Sequence, residues 1–151
     1  MRTVILTRGI AGSGKSTWTK QQVLDHPEQY VRVNKDSLRY MLYGGKYSQE
    51  NEPLVLRIRD EIILQALQEG YDVIVDDTNI SPRHKERIQA LVAGIASVQI
   101  QDFSSVALDI CLERDARRPE PLALQQPTGE AMIRKQYTQL QQVILHEQEN
   151  L

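Results

Sequence analysis

The sequence is poor in cysteine, in aromatic residues and in long apolar runs, and each shortage excludes a class of protein. A single cysteine, Cys111, cannot form an internal disulfide or a cysteine zinc cage, so we expect a reducing, cytoplasmic compartment. Aromatic residues make up 5% of the chain, too few for a nucleic-acid stacking platform. No run approaches the roughly 18 apolar residues of a membrane span. Residues 1–8 turn polar too early for a signal peptide, so we expect no membrane association.

The chain also lacks an excess of charge of either sign. Its 18 basic and 20 acidic residues give a net charge of −2. The protein therefore has no global positive field for nucleic acid, and any such contact must be local. The 151 residues are 40% hydrophobic and 25% charged, as in ordinary globular domains. Length and the absence of a composition break predict one domain over residues 1–151.

Short β-branched runs alternate with helical stretches, which predicts a parallel sheet with helices on its faces. Four strands are predicted over residues 3–7, 30–33, 71–75 and 98–100. Helices are predicted over residues 16–24, 36–42 and 53–69, and another is capped by Ser81 and ended by Gly94. Ser104 or Ser105 caps a further predicted helix that ends before Pro119, and a last helix covers about residues 128–148.

The strongest chemical signal is a glycine-rich segment after the first predicted strand. It reads Gly9-Ile10-Ala11-Gly12-Ser13-Gly14-Lys15-Ser16 and fits the pattern GxxxxGK[ST]. Glycines let such a loop curl so that backbone N–H groups and the next helix's N-terminus point at phosphate oxygens. Lys15 adds a positive charge near the β- and γ-phosphates, and the Ser16 hydroxyl suits Mg²⁺. We therefore predict an ATP site at Gly12, Ser13, Gly14, Lys15, Ser16 and Thr17.

Two acids, Asp76 and Asp77, follow the third predicted strand. Ligands of open α/β sheets bind beyond the carboxyl ends of the strands, so these acids are expected beside the glycine-rich loop. One of them, Asp77 in our interpretation, is suited to hold Mg²⁺ directly or through water. Spacing alone does not decide between the two, and an acid can also simply end a strand.

An acid and an arginine, Asp36 and Arg39, follow the second predicted strand at i and i+3, on one helix face. A phosphoryl acceptor hydroxyl needs an oxygen such as that of Asp36 to orient it and take its proton. A phosphate on the acceptor needs a bidentate cation such as Arg39. The alternative interpretation is an exposed ion pair.

Arginines also cluster before Pro119, where Arg114 and Arg118 stand at i and i+4 and can face one ligand. They predict a lid over about residues 114–127 that closes on ATP and stabilises charge in the transition state. Alternatively, these arginines only complement the dipole at a helix C-terminus.

Together, these motifs resemble the 5′-hydroxyl kinase domain of bacteriophage polynucleotide kinase–phosphatases over nearly the whole chain. The resemblance rests on an ordered set: Ile5-Leu6-Thr7, Gly12-Ser13-Gly14-Lys15-Ser16-Thr17-Trp18, Asn34-Lys35-Asp36 with Arg39, Asp77-Thr78-Asn79 with Pro82, and Arg114 with Arg118. It implies a three-layer α/β/α P-loop sandwich with a four-stranded parallel sheet. It also implies ATP and Mg²⁺ as cofactors and 5′-OH ends of DNA or RNA as partners.

The resemblance further implies a role for each matching residue at the centre of the reaction. Lys15 and Ser16 bind the ATP phosphates and Mg²⁺, with Thr17 assisting. Asp36 is the general base that contacts the acceptor 5′-hydroxyl, and Arg39 binds the acceptor phosphate.

Other matching residues lie around that centre in the implied arrangement. Asp77 and Thr78 line the site near the metal and the acceptor. Arg114 and Arg118 are lid arginines on the ATP phosphates, and Arg118 joins Lys15 and Asp36 as catalytic. Arg117 is the alternative to Arg118 for this role, because the match to the family pattern can easily shift by one residue there.

The chain departs from the family pattern at several places. It has no Asp-x-Asp-Gly-Thr signature, so we expect no 3′-phosphatase domain. Ala11 stands where a proline is common, and a shorter stretch after Arg39 leaves the oligomeric state open. Two other functions compete with the leading hypothesis: a P-loop kinase of a nucleoside, sugar or phosphorylated metabolite, and a nucleotide-gated binding module that transfers nothing.

Overall fold

The computed structural model describes residues 1–118 and 129–151, which form a four-stranded parallel sheet with helices. The strands are β1 (Arg2–Arg8), β2 (Tyr30–Val33), β3 (Asp72–Val75) and β4 (Ala96–Asp102). The helices are α1 (Lys15–Asp25), α2 (Lys35–Tyr43), α3 (Glu52–Gln68), α4 (Pro82–Leu91), α5 (Leu108–Ala116) and α6 (Gly129–Glu149). Residues 119–127 of the predicted lid lie outside the described residues. Within the described part of the chain, no helix is long and apolar enough to cross a membrane.

The sheet has the strand order β2-β3-β1-β4, and every pair is parallel. The central strand β1 aligns Leu6 with Val75 of β3 and with Ile100 of β4. The carboxyl ends of β1 and β3 are therefore neighbours, and the chain leaves them as the glycine-rich loop and as the Asp76-Asp77 pair. This register places the two motifs side by side, as the sequence predicts.

Alternation along the strands creates one strongly apolar sheet face. Val4 and Leu6 of β1 and Val73 and Val75 of β3 are fully buried there, in a cluster with Val55, Ile63 and Leu67 of α3 and Ile88 of α4. Burying an aliphatic side chain of this size contributes roughly 1.5–3 kcal/mol. This layer fixes the strand ends that carry the polar residues.

A second apolar cluster forms beside the glycine-rich loop. Its buried members are Ile10, Ala11, Ile80, Cys111, Ile133 and Leu140. The cluster joins the loop to α5 and α6, so both helices are part of the loop's support. Tyr137 and Ile144 of α6 pack against the same cluster.

Two predicted features are wrong in detail. Helix α5 begins at Leu108 with Ala107 as its N-cap, because Asp102 accepts a hydrogen bond from the Ser104 backbone and the chain turns first. Strand β4 is seven residues long, since pairing with β1 extends along both polar ends. On α3, the charged Arg59 is buried, at 1% exposed, and pairs with Asp60.

Candidate active site

A cleft of about 860 Å³ opens where β1, β2 and β3 end. Seven of the residues predicted from the sequence line it: Lys15, Ser16, Asp36, Arg39, Asp77, Thr78 and Arg118. The other predicted residues are outside its described lining: Gly12, Ser13, Gly14, Thr17 and Arg114. Side chains from four separate segments of the chain thus meet around one space.

The glycine-rich loop has a conformation that requires glycine at two positions. Gly12 and Gly14 have φ angles of 82° and 99°, in the left-handed region that side chains disfavour. A Cβ at Gly12 would lie 2.3 Å from the carbonyl oxygen of Cys111 in α5. From the same helix, Arg114 donates to the Gly12 carbonyl oxygen at 3.4 Å. Arg114 therefore supports the loop from α5.

Lys15 is held within the loop and is 8% exposed. Its Nζ donates to the Ile10 carbonyl oxygen at 2.7 Å. Burial lowers its pKa to about 8, with Asp76 opposing the shift and Arg118 adding to it. A bound polyphosphate would place negative charge beside this ammonium group and stabilise its charged form. The site therefore favours an anionic ligand.

Both acids after β3 are buried, and each has one oxygen without a hydrogen-bond partner. Asp77 Oδ1 accepts from the Lys35 backbone N–H at 3.0 Å, and Asp76 Oδ2 pairs with Arg32 Nε at 2.7 Å. Asp77 Oδ2 and Asp76 Oδ1 are buried and unpaired within the described residues. Burial raises the pKa of Asp77, with Lys35 opposing it. Asp76, Asp77 and Ser16 line the same cleft, and their oxygens are donors of the kind that suits Mg²⁺.

The described residues contain no group of three or more His, Cys, Asp or Glu side chains placed to hold a metal ion. This is compatible with Mg²⁺, which is usually bound through one or two carboxylates together with water and substrate phosphates. The residues present therefore fit a magnesium ion that arrives with a nucleotide.

Two asparagines that our site prediction omitted hold the strand ends in place. Asn79 has a φ angle of 46°, and its Nδ2 donates to the carbonyl oxygens of Thr7, Val75 and Asp77. Asn34 caps α2, accepting from the Ser37 N–H at 2.8 Å and donating to the Asp76 carbonyl oxygen. The sequence signal was an asparagine two residues from Asp36 and another two residues from Asp77.

Asp36 and Arg39 form the ion pair that their spacing predicts, and the pair lies at the cleft. Arg39 Nη1 donates to Asp36 Oδ1 at 2.7 Å. The Asp36 side chain is 54% exposed, whereas that of Arg39 is 15% exposed. The two interpretations of this pair are therefore not exclusive, because an ion pair can also present a carboxylate to a ligand.

Glu52, at the start of α3, is a further site residue that the sequence analysis missed. Its carboxylate accepts from Arg39 Nε at 3.0 Å and from Nη2 at 2.5 Å. Although burial favours the neutral acid, Arg39 holds the pKa of Glu52 below its usual value. The Tyr47 ring lies 5.5 Å from the same guanidinium. Glu52 is 13 residues from Arg39 in sequence, so no local spacing indicated the pairing.

The arginines after α5 separate into different environments. Arg118 lines the cleft, with Nη1 3.6 Å from Asp115 Oδ1. Arg117 pairs with Glu113, and its side chain is 76% exposed. Of these two arginines, Arg118 is therefore the one in the described lining of the cleft.

Comparison with known proteins identifies the family. A family model described as an AAA domain matches residues 4–142. The chain belongs to this AAA domain family. A protein of Autographa californica nuclear polyhedrosis virus, named as a bifunctional polynucleotide kinase/RNA ligase, is 29% identical over 143 residues. The match covers 85% of this chain and 19% of the viral protein.

Solved structures support the same placement. A chain in the structure of the Pnkp1/Rnl/Hen1 RNA repair complex has a TM-score of 0.82 and 25% identity, over 96% of this chain and 46% of that one. The chain thus spans less than half the length of the first relatives it matches. These likenesses confirm the resemblance to polynucleotide kinases and the P-loop kinase fold.

The fold is shared with kinases of small molecules. The Mycobacterium tuberculosis APS kinase CysC, solved with AMPPNP and APS, has a TM-score of 0.62 and 20% identity, over 77% of this chain and 69% of that one. A gluconokinase from Sinorhizobium meliloti 1021 has a TM-score of 0.58 and 16% identity, over 93% of this chain and 77% of that one. The fold alone therefore does not identify the phosphoryl acceptor, which has to be inferred from the residues of the cleft.

Proposed function

We propose that this protein is a polynucleotide 5′-hydroxyl kinase that transfers the γ-phosphate of ATP to 5′-OH ends of DNA or RNA. One observation carries the proposal: Lys15 and Ser16 of the phosphate loop share a cleft with the Asp36–Arg39 pair. Donor-binding and acceptor-binding chemistry are thus available around one space. The likeness to a viral polynucleotide kinase/RNA ligase and to an RNA repair complex supports the acceptor class.

Asp36 is the proposed base at the acceptor side of the cleft. One of its oxygens bonds Arg39, and the other is available to orient a 5′-hydroxyl and accept its proton. Asp36 lies in the first turn of α2.

Arg39 is the proposed reader of the acceptor's own phosphate. Glu52 fixes the guanidinium through Nε and Nη2, and Asp36 engages Nη1. An arginine held this way adds geometric specificity for a phosphodiester next to the terminal nucleoside. A free nucleoside or sugar lacks that phosphate, so this contact favours a strand end over a small acceptor.

Lys15 and Arg118 are the proposed cations on the transferred phosphoryl group. Phosphoryl transfer depends chiefly on positioning and on stabilising charge on the equatorial oxygens, and two cations at the cleft can stabilise that charge. Ser16 and Asp77 would hold Mg²⁺, with Asp76 as the neighbouring acid. When bound, the ion would neutralise charge on the β- and γ-phosphates.

The test is a panel of acceptors presented with γ-labelled ATP and Mg²⁺. We expect label on 5′-OH oligonucleotides and on nucleoside 3′-monophosphates, and little label on nucleosides or sugars. Label on nucleosides or sugars alone would overturn the proposal in favour of a small-molecule kinase. ATP binding without transfer to any acceptor would instead indicate a nucleotide-gated module.

A further inference from the structure

Helix α6 reaches the phosphate loop through one side chain. Gln136 Oε1 accepts a hydrogen bond from the Ala11 backbone N–H at 3.0 Å. The helix is held on both sides of this contact, because Ile133 and Leu140 are buried in the cluster that contains Ala11. The packed helix therefore positions Gln136 at the loop and restricts its movement.

The contact with Ala11 fixes which edge of the amide faces outward. A backbone N–H can only donate, so the amide oxygen of Gln136 must face the loop. The amide nitrogen, with its two donors, remains for a ligand. Within the described residues, that nitrogen has no hydrogen-bond partner, although Gln136 is half-buried and lines the cleft.

The position of Gln136 decides which ligand atom it can meet. Gln136 and Ala11 line the same cleft as Lys15 and Arg118, with Asp36 also at its wall. A phosphoryl group in transfer from the loop to a hydroxyl at Asp36 would cross this cleft. Its oxygens would then be acceptors available to the free edge of the amide.

We propose that Gln136 contacts substrate, donating a hydrogen bond from Nε2 to an oxygen of the γ-phosphate while Oε1 stays on Ala11. The inference rests on the proposed function, because it requires a nucleoside triphosphate in this cleft. It adds a residue of α6 to the phosphate site. A neutral donor there would stabilise the transferred group with no charge to repel Lys15 or Arg118.

The test compares a non-hydrolysable ATP analogue with ADP by isothermal titration calorimetry. Gln136→Leu keeps the side-chain size and removes both hydrogen bonds. We expect its Kd for the analogue to rise about 10- to 100-fold, as for loss of a hydrogen bond to a charged group. The Kd for ADP should stay within about threefold of wild type. A matched control on the exposed face of the same helix is Gln141→Leu, which should bind both nucleotides normally.

The ADP measurement separates a phosphate contact from mere support of the loop. If Gln136 only holds Ala11, Gln136→Leu will weaken ADP and the ATP analogue alike, which would overturn the proposal. A second variant, Gln136→Glu, keeps an acceptor for Ala11 but places a carboxylate at the γ-phosphate. We expect it to bind the analogue more weakly than Gln136→Leu does, and wild-type affinity would also overturn the proposal. Failure of the wild-type protein to bind either nucleotide would refute the proposed function itself.

Discussion

The contact between Glu52 and Arg39 allows a prediction that tests the acceptor side of the cleft alone. Glu52→Gln preserves the size of the side chain but removes the charge that fixes two nitrogens of Arg39. The guanidinium keeps only Asp36 as a charged hydrogen-bond partner. Arg39 will then pair more strongly with Asp36, the proposed base. Its guanidinium will also be less rigidly oriented toward an acceptor phosphate.

The magnitude follows from the burial of the pair. The side chains of Arg39 and Glu52 are 15% and 16% exposed. The pair therefore lies between exposed ion pairs, worth about 0.2–1 kcal/mol, and fully buried pairs, whose disruption costs about 3–5 kcal/mol. We expect about 2 kcal/mol, or about a 30-fold loss of kcat/KM for the oligonucleotide acceptor.

The assay measures kcat/KM for a 5′-OH oligonucleotide and the Kd for ATP in the same variants. Glu50→Gln, an exposed glutamate two residues away, is the matched control and should behave as wild type. Because Glu52 contacts Arg39 on the proposed acceptor side of the cleft, the Kd for ATP should not change in Glu52→Gln. Equal losses on ATP and acceptor, or an unchanged acceptor kcat/KM, would refute this account of Arg39.

Three further predictions concern the loop and the strand ends. Because the pKa of Lys15 is lowered to about 8, ATP affinity should fall as pH rises through 8 and the ammonium is lost; a constant Kd from about pH 7 to about pH 9.5 would contradict this. Gly12→Ala should weaken ATP binding at least about tenfold, because its Cβ would meet the Cys111 carbonyl oxygen; near-normal calorimetric titration would refute the clash. Asn79→Ala should lower the free energy of unfolding in urea by about 2–3 kcal/mol, since it leaves three carbonyl oxygens without their amide donor; an unchanged midpoint would contradict it.

Local pattern was enough to predict the sheet and the loop. The β-branched run before the glycines and the valine-rich run before Asp76 are buried central strands, where apolar content is highest. The fourth strand was predicted too short because its outward residues, among them Gln99 and Gln101, are exposed on an edge strand. Hydrophobic pattern weakens where a strand has one neighbour and one open side.

Contacts between segments that are distant in the sequence could not be predicted from it. The sequence pattern singles out neither Glu52, an acid at the start of α3, nor Gln136, one of several polar residues on α6. Each acquires its place through packing: α3 brings Glu52 to Arg39, and α6 brings Gln136 to Ala11. A single sequence carries no periodicity or spacing that links residues 13 or 125 positions apart.

The most direct test of the proposed function is end labelling with γ-labelled ATP on 5′-OH DNA and RNA oligonucleotides in Mg²⁺. Wild type, Lys15→Ala and Asp36→Asn would run beside Asp25→Asn, which alters an exposed acid of α1. The account predicts label at the 5′ end with wild type and Asp25→Asn, and its loss in the other two variants. Transfer that persists in Asp36→Asn would contradict the assigned base, and no label with the wild-type protein would contradict the polynucleotide kinase.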